Sequence, residues 1–233
     1  MKIKYSIVLP CYNEFKNLCL LIPQLLKIFK KKRYEIICVD DNSSDHTVPK
    51  LKKIFKKNNK IDFILRKKNR SLGLSIKDGI KKSTGNVIIV MDTDFNHRTQ
   101  DLHKMVKQFE KNKFDMICGS RFLKGGSSNT FFRHVCSLVF NFFVNMITGG
   151  NLSDNLSGFF IIKKKFLQQK LDKIFYGYGD FYIRLLYFVQ KKNLSILDFP
   201  VKYNLRRYGQ SKSKLLRMLI SYTYETIILK FKN

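Results

Sequence analysis

Over the first 120 residues the chain alternates between short apolar runs and longer stretches in which apolar residues recur every three or four positions. The short runs are KYSIVLP (4–10), EIICVD (35–40), IDFILR (61–66), NVIIVMD (86–92) and FDMICGS (114–120). The stretches between them carry helical stripes, most plainly Leu18, Leu21, Ile22, Leu25, Leu26 and Phe29, and later Leu102, Met105, Val106 and Phe109. Others are predicted through Leu51, Ile54 and Phe55 and from near Ser71. Strands that are apolar on both faces and separated by helices predict a mostly parallel sheet covered by helices on both faces, an α/β fold of Rossmann-like character. In such sheets ligands sit at the carboxyl ends of the strands.

After residue 120 the rhythm changes. A Gly/Ser-rich loop, Gly125 to Asn129, leads into the aromatic segment Phe131–Thr148, predicted as a helix. A strand in SGFFII (157–162), helices near Phe166–Ile174 and from about Gly179 to Lys192, and a strand through Ile196–Val201 follow. A basic loop, Leu205–Lys214, and an amphipathic helix, Leu215–Phe231, close the chain. There is no internal repeat. The pattern gives one domain over residues 1–212 with a C-terminal amphipathic helix over 213–233.

The 233 residues, 44% hydrophobic and 27% charged, suit a globular domain with a substantial core. The formal charge of +28 suits an anionic partner such as a phosphorylated substrate, acidic lipid or nucleic acid, but it also suits a Lys-rich composition with no specific partner. Five scattered cysteines without a CxxC pair argue for a reducing compartment and against a disulfide framework or zinc site. The N-terminal run is too short and ends too early, at Pro10, to be a secretory signal. Residues 135–153 carry no charge, yet Asn141, Asn145 and the Gly149-Gly150 pair make them a poor membrane span. They read either as an aromatic helix lying in a membrane interface or as a core helix.

Polar residues gather where the predicted strands end: Tyr12, Asn13 and Glu14 after the first, Asp40 and Asp41 after the second, Arg66 after the third, Asp92 and Asp94 after the fourth. Two carboxylates one residue apart, as in Asp92-Thr93-Asp94, can face one hard divalent cation, which prefers oxygen ligands and shares its shell with substrate phosphates. Asp40 and Asp41 have two readings: as acceptors for a ribose or base, and as part of a polar turn in which Asn42, Ser43, Ser44 and Asp45 cap the next helix. His97 reads as a structural loop histidine beside the acids or as a base.

The set Pro10-Cys11-Tyr12-Asn13-Glu14, Val39-Asp40-Asp41-Asn42-Ser43, Arg66 with Leu72-Gly73-Leu74, and Asp92-Thr93-Asp94-Phe95-Asn96-His97 resembles the family 2 inverting glycosyltransferases. Within them it is most similar to the dolichol-phosphate mannose and related polyprenyl-phosphate sugar synthases. Gly119-Ser120-Arg121, Ser157-Gly158-Phe159 and Arg206 with Gly209-Gln210-Ser211-Lys212 extend the likeness to about residues 5–212. The resemblance implies a GT-A fold and transfer of a hexose, from GDP-mannose first and UDP-glucose as the alternative, to a polyprenyl phosphate. It implies that Pro10, Tyr12, Glu14, Val39 and Asp41 hold the nucleotide-sugar, with Asp92, Thr93, Asp94, Arg121, Arg206 and Lys212 completing the donor site. Asp92, Asp94 and Asn96 match the ligands of Mg²⁺ or Mn²⁺. Arg121, Arg133 and Arg206 match positions that grip the acceptor phosphate, and Asp94, Arg121 and Arg206 those closest to catalysis.

Three features depart from the family pattern: Arg98 where a proline is usual, Gly179-Asp180-Phe181-Tyr182 without the usual lysine and glutamate, and no membrane-spanning helices like those of many relatives. The expected setting is a peripheral protein on the cytoplasmic side of a membrane, with a membrane surface and a small membrane protein as partners and no nucleic acid. An inactive basic module binding membrane or nucleic acid is the reading of a different class. The acids at strand ends and Arg206 speak against it.

Overall fold

The computed structural model describes residues 3–111, 113–127, 131–209 and 215–231, with the side chains of 131–133 and 215–217 outside that description. The predicted strands form a single seven-stranded sheet. They are β1 (Lys4–Cys11), β2 (Arg33–Asp40), β3 (Ile61–Leu65), β4 (Val87–Val90), β5 (Met116–Ser120), β6 (Phe160–Lys163) and β7 (Ile196–Pro200). Their spatial order is β3-β2-β1-β4-β6-β5-β7. All run the same way except β6, which inserts antiparallel between β4 and β5.

Helices α1 (Phe15–Phe29), α2 (Thr47–Ile54) and α4 (Thr99–Phe109) cover one face, while α3 (Leu72–Lys82), α6 (Leu171–Ile174) and α7 (Asp180–Lys191) cover the other. The stripe read from the sequence on α1 is the stripe that is buried: Leu18, Leu21, Ile22, Leu25 and Phe29 pack against the sheet. On the opposite face α3 comes so close that a Cβ on Gly79 would stand 2.5 Å from a Val8 methyl. Cys11, Cys38 and Cys118 are buried in strands as free thiols.

Two local details differ from the sequence reading. The helix expected near Phe166–Ile174 is a single 3₁₀ turn followed by the four-residue α6. The helix after β2 begins at Thr47, and its first N–H groups bond to Asp45 and Asp40, not to Asn42, Ser43 or Ser44. The two serines are engaged elsewhere: Asp40 accepts the N–H and hydroxyl of Ser43, and Asn13 accepts those of Ser44.

The aromatic helix α5 (Phe131–Thr148) and the terminal helix α8 (Leu215–Phe231) pack on each other, and α8 also packs on α7. The two asparagines that break the apolar character of α5 face inward. Asn141 accepts the Asn155 N–H, and Asn145 accepts the Asn155 side-chain amide (2.9 Å) and donates to Leu152 O (2.8 Å). Outward, α5 exposes Leu138, Val139, Phe142 and Met146, and α8 exposes Ile220, Tyr224, Ile227 and Phe231. The buried side of α8 is the more polar one, with Tyr222, Glu225 and Thr226. Among the described residues no helix is long and apolar enough to cross a membrane.

Phe29 marks how much the α1 face contributes. It is fully buried and meets the rings of Tyr5 (5.4 Å, edge-on) and Tyr34 (5.7 Å). Phe29→Ala leaves a cavity between helix and sheet and costs about 3–5 kcal/mol. Chemical denaturation followed by circular dichroism reads this as a lowered midpoint at unchanged slope.

Candidate active site

The carboxyl ends of β1, β2, β4 and β5 gather along one edge of the sheet, the crevice position of an open α/β fold. Glu14, Asp92 and Asp94, singled out above, stand there together with Arg206. Glu14 at the start of α1 is buried, accepts the side-chain amide of Asn17 (2.5 Å) and pairs with Arg206 (3.1 Å). The other arm of the same guanidinium reaches Asp94 at 2.6 Å. Arg206 therefore bridges two carboxylates that the chain separates by 80 residues. Asp94 also accepts the Asn96 N–H (2.9 Å) and side-chain amide (3.0 Å), so Asn96 braces the carboxylate with its nitrogen. Phe95 between them adopts φ +71°, a left-handed conformation that a bulky residue enters only when its surroundings hold it there.

Asp92 keeps 42% of its side chain open to solvent, with one oxygen 3.7 Å from the His97 ring. Burial there raises its pKa to about 6; Arg206 and Arg121 oppose the rise and Glu14 adds to it. Burial and the neighbouring Asp92 raise Asp94 as well. Three carboxylates with one arginine among them leave a surplus of negative charge, which is the chemistry a hard cation answers. Among the described residues no three His, Cys, Asp or Glu side chains are grouped closely enough to hold a metal unaided.

His97 is committed elsewhere. Its Nδ1 accepts the Asp92 N–H (2.8 Å), its Nε2 meets the Tyr203 hydroxyl (2.5 Å), and its ring stacks on Phe159. Burial lowers its pKa to about 4, so it stays neutral and fixes the Asp92 backbone.

The residues that the resemblance assigns to a nucleotide divide. Asp41 is held by Arg66 through a side-chain ion pair and accepts the Ser71 N–H (2.6 Å) at the start of α3. Arg66 reaches Asp78 with its other face (2.8 Å). The Tyr12 ring lies under the Arg70 guanidinium at 3.8 Å. Pro10 and Val39 pair across β1 and β2 and are buried; Val39 gives its side chain to the core, leaving only main chain for a ligand. Thr93 is buried between the two acids. Arg121, after β5, forms a two-pronged pair with Asp154, both contacts 2.8 Å, and lies over the Tyr203 ring. Lys212 and the side chain of Arg133 lie outside the described residues.

Residues 6–170 match the model of the glycosyl transferase family 2 domain. The chain belongs to glycosyl transferase family 2. Among curated relatives it is 30% identical over 218 residues to dolichol-phosphate mannosyltransferase of Pyrococcus furiosus, spanning 91% of this chain and 59% of that protein. It is 26% identical to dolichyl-phosphate beta-glucosyltransferase of Dictyostelium discoideum, spanning 85% of this chain and 65% of that one. It is also 26% identical to dolichol-phosphate mannosyltransferase of Saccharomyces cerevisiae, spanning 99% and 90%. The chain thus spans only about three fifths to two thirds of the first two relatives' length. Among solved structures, glucosyl-3-phosphoglycerate synthase of Mycobacterium tuberculosis in complex with Mn²⁺, UDP and phosphoglyceric acid superposes with a TM-score of 0.69 at 17% identity. That match covers 97% of this chain and 77% of the other, and it establishes the shared GT-A fold.

Within this family 2 domain the structure adds residues that the motif reading passed over. Asp154 fixes Arg121, and Tyr203 links His97 to the main chain of Ser157. Neither carries a local signal, because each partner lies far off in the chain. The Ser157-Gly158-Phe159 motif beside Asp154 is the one cue that pointed to the neighbourhood.

Asp92 offers a pH test on the metal-free protein. Its folded pKa lies above the ordinary 3.8, so between about pH 4 and 6 the folded state binds a proton the unfolded chain has released, and stability attributable to this group falls as pH rises. Asp92→Asn in EDTA is expected to raise Tm at pH 7.5, with the gain vanishing near pH 4. A difference independent of pH would contradict this account.

Proposed function

We propose that the chain transfers a hexose, preferably mannose from GDP-mannose, to a polyprenyl phosphate with inversion at the anomeric carbon, working at the cytoplasmic surface of a membrane. The observation that supports this most directly is the arginine pair flanking the acidic crevice: Arg206 on Glu14 and Asp94, Arg121 on Asp154 beside Tyr203. A transfer between two phosphate-bearing substrates needs a cationic grip on each, and guanidinium forks bond phosphate oxygens in pairs. The relatives' names, two mannosyltransferases and one glucosyltransferase acting on dolichol or dolichyl phosphate, support the same acceptor class.

In this reading Asp41, Tyr12 and Glu14 line the nucleotide side, and Thr93 supports the turn between the acids. Asp92 and Asp94, braced by Asn96, would hold Mg²⁺ or Mn²⁺. Such an ion, when bound, neutralises the diphosphate leaving group. Arg206 is already shared between Glu14 and Asp94 and moves its charge toward the diphosphate as the carboxylates take another partner. Arg121, held in orientation by Asp154, is assigned to the acceptor phosphate, with Arg133 assigned to the same task. Lys212 belongs to the donor phosphates. An acceptor phosphate is anionic near neutral pH and needs alignment behind the anomeric carbon more than a base. That agrees with a neutral, fully engaged His97.

One observation favours UDP-glucose as the alternative donor. The Gly179-Asp180-Phe181-Tyr182 segment lacks the lysine and glutamate usual in mannose synthases, and one relative is a glucosyltransferase. Transfer assays with GDP-mannose and UDP-glucose on a short polyprenyl phosphate separate the two. With either donor, Asp94→Asn is expected to lower kcat about 10²-fold or more, and excess EDTA to stop turnover, as loss of charge stabilisation at the leaving group requires. Full turnover in EDTA would remove the metal from the mechanism.

The outward apolar faces of α5 and α8 support a membrane surface as partner, and a small membrane protein seated there is compatible with the same faces. Basic residues near an anionic surface add on the order of 1 kcal/mol each and are screened by salt. In liposome flotation the protein is expected to rise with anionic vesicles at low salt and less so at high salt. Phe142→Asp is expected to weaken flotation at both. Efficient use of a water-soluble acceptor with no flotation under any condition would replace the lipid acceptor with a soluble one.

A further inference from the structure

Arg184 on α7 is almost wholly buried, and none of the motifs above includes it. Its guanidinium is fully used. One nitrogen pairs with both Asp180 (2.7 Å) and Glu225 of α8 (2.9 Å), Nε donates to Ile174 O (2.9 Å), and the last nitrogen bonds the Tyr176 carbonyl. The plane lies 3.5 Å from the centre of the Tyr176 ring, whose hydroxyl donates to Glu225 (3.2 Å). These contacts tie together the last residue of α6, the loop that follows it, the first residue of α7, and α8.

That loop, residues 175–179, has its other side on the nucleotide end of the crevice. The Gly177 carbonyl accepts the Ser71 hydroxyl (2.6 Å) and the Gly73 N–H (3.1 Å), and Ser71 is the residue whose N–H holds Asp41. Gly177 needs its φ of +69°, and any Cβ there would collide with Asp180; a Cβ on Gly73 would strike the Tyr176 backbone. The second oxygen of Asp180 takes the Tyr178 N–H at 2.6 Å. Tyr178 thus has the carbonyl before it fixed by α3 and its own N–H fixed by Asp180, while the residue stays 42% exposed. Burial raises the pKa of its hydroxyl, Asp92 and Asp94 add to the rise and Arg206 opposes it, so the ring lies within electrostatic reach of the carboxylate pair.

A buried guanidinium with two carboxylates is a poor way to gain stability, since apolar side chains of like volume do as well or better. What it supplies is direction. We propose that Arg184, with Asp180 and Glu225, is a positioning unit that holds Tyr178 as a wall of the donor-sugar site, so that the seating of α8 sets the geometry of that wall. The identity of the sugar rests on the function proposed above; the mechanical link does not.

The chain contains no tryptophan, so Tyr178→Trp makes a single-tryptophan reporter. In the ligand-free protein, adding Glu225→Gln is expected to raise acrylamide quenching of that reporter about twofold or more, as a loosened loop admits solvent. Titrated Mn²⁺, a paramagnetic quencher, is expected to quench the reporter and to do so less with Glu225→Gln. Ile54→Trp, exposed at the far end of α2, should register neither change. In the otherwise native chain, Glu225→Gln is expected to lower kcat about 10- to 100-fold with the calorimetric Kd for GDP or UDP little altered, because misplacement costs rate before it costs binding. Equal quenching with and without Glu225→Gln overturns the proposal, as does a parallel fall of kcat, nucleotide affinity and Tm. If neither nucleotide binds the native chain, the sugar-transfer reading falls, and the quenching comparison still decides the positioning claim. Should Glu225→Gln not fold, Tyr176→Phe removes one hydrogen bond, leaves the ion pairs standing, and gives the same comparison at smaller amplitude.

Discussion

Carboxylates crowd one edge of the sheet, and each must be answered by something positive or by a row of N–H groups if it is to stay charged there. Asp40 is answered by main-chain N–H groups, Asp41 by Arg66, Glu14 and Asp94 jointly by Arg206, and Asp154 by Arg121. Asp92 has no lysine or arginine ion pair among the described residues. The arrangement of loops around the crevice follows from these pairings. The loop after β7 folds back because Arg206 must reach both Glu14 and Asp94, and it is then secured by Arg207 N–H to Asp94 O and Asn204 N–H to Asn96 O. The partners are arginines although lysine is far commoner in the chain: ten of the 45 basic residues are arginine. The excess lysine charge is a property of the surface, while the few arginines do the geometric work, since only a planar fork can hold two carboxylates in fixed relation.

The sheet, the helices on its first 120 residues and the carboxylate cluster were legible because they rest on local patterns. Apolar runs, helical stripes and acids placed just after strands are all visible within a dozen residues. What escaped was non-local. The antiparallel sense of β6 leaves no trace in SGFFII, which reads as a buried strand whichever way it runs. Asp154 and Tyr203 acquire meaning only through partners 33 and 106 residues away. The capping of α2 was legible in part: Asp45 caps as read, while the second acceptor is Asp40 and not Asn42, Ser43 or Ser44. Arg98, a departure from the family pattern, sits at the start of α4 with its guanidinium 3.9 Å from Asp101, so the helix begins without the proline. Lys212 and the side chain of Arg133 stay as the resemblance left them.

The helix α8 reverses the usual polarity of a surface helix, and α5 is apolar on both its sides. A helix on a water-soluble domain buries its apolar stripe; α8 buries Tyr222, Glu225 and Thr226 and turns Ile220, Tyr224, Ile227 and Phe231 outward. Polar groups inside are tolerable because each is bonded, Thr226 to Tyr222 O and Glu225 to Arg184 and Tyr176. The same hydrogen bonds that make the interior side acceptable free the apolar side for another environment. Asn141 and Asn145 perform this service on α5.

The insertion of β6 between β4 and β5 bears on the order in which the chain can assemble. Strands β3, β2, β1 and β4 are neighbours drawn from the first 90 residues and can pair as soon as that length has been made. The edge of β4 then stays open until residues 160–163 arrive, and β5, although made earlier, has no place in the sheet before them. The nascent protein therefore carries an unpaired, wholly apolar strand edge through some 70 residues of synthesis. Until β6 closes that gap, the half-built sheet is open to pairing with other chains, and shielding on the ribosome would matter more for this topology than for a sheet whose strands join in sequence order.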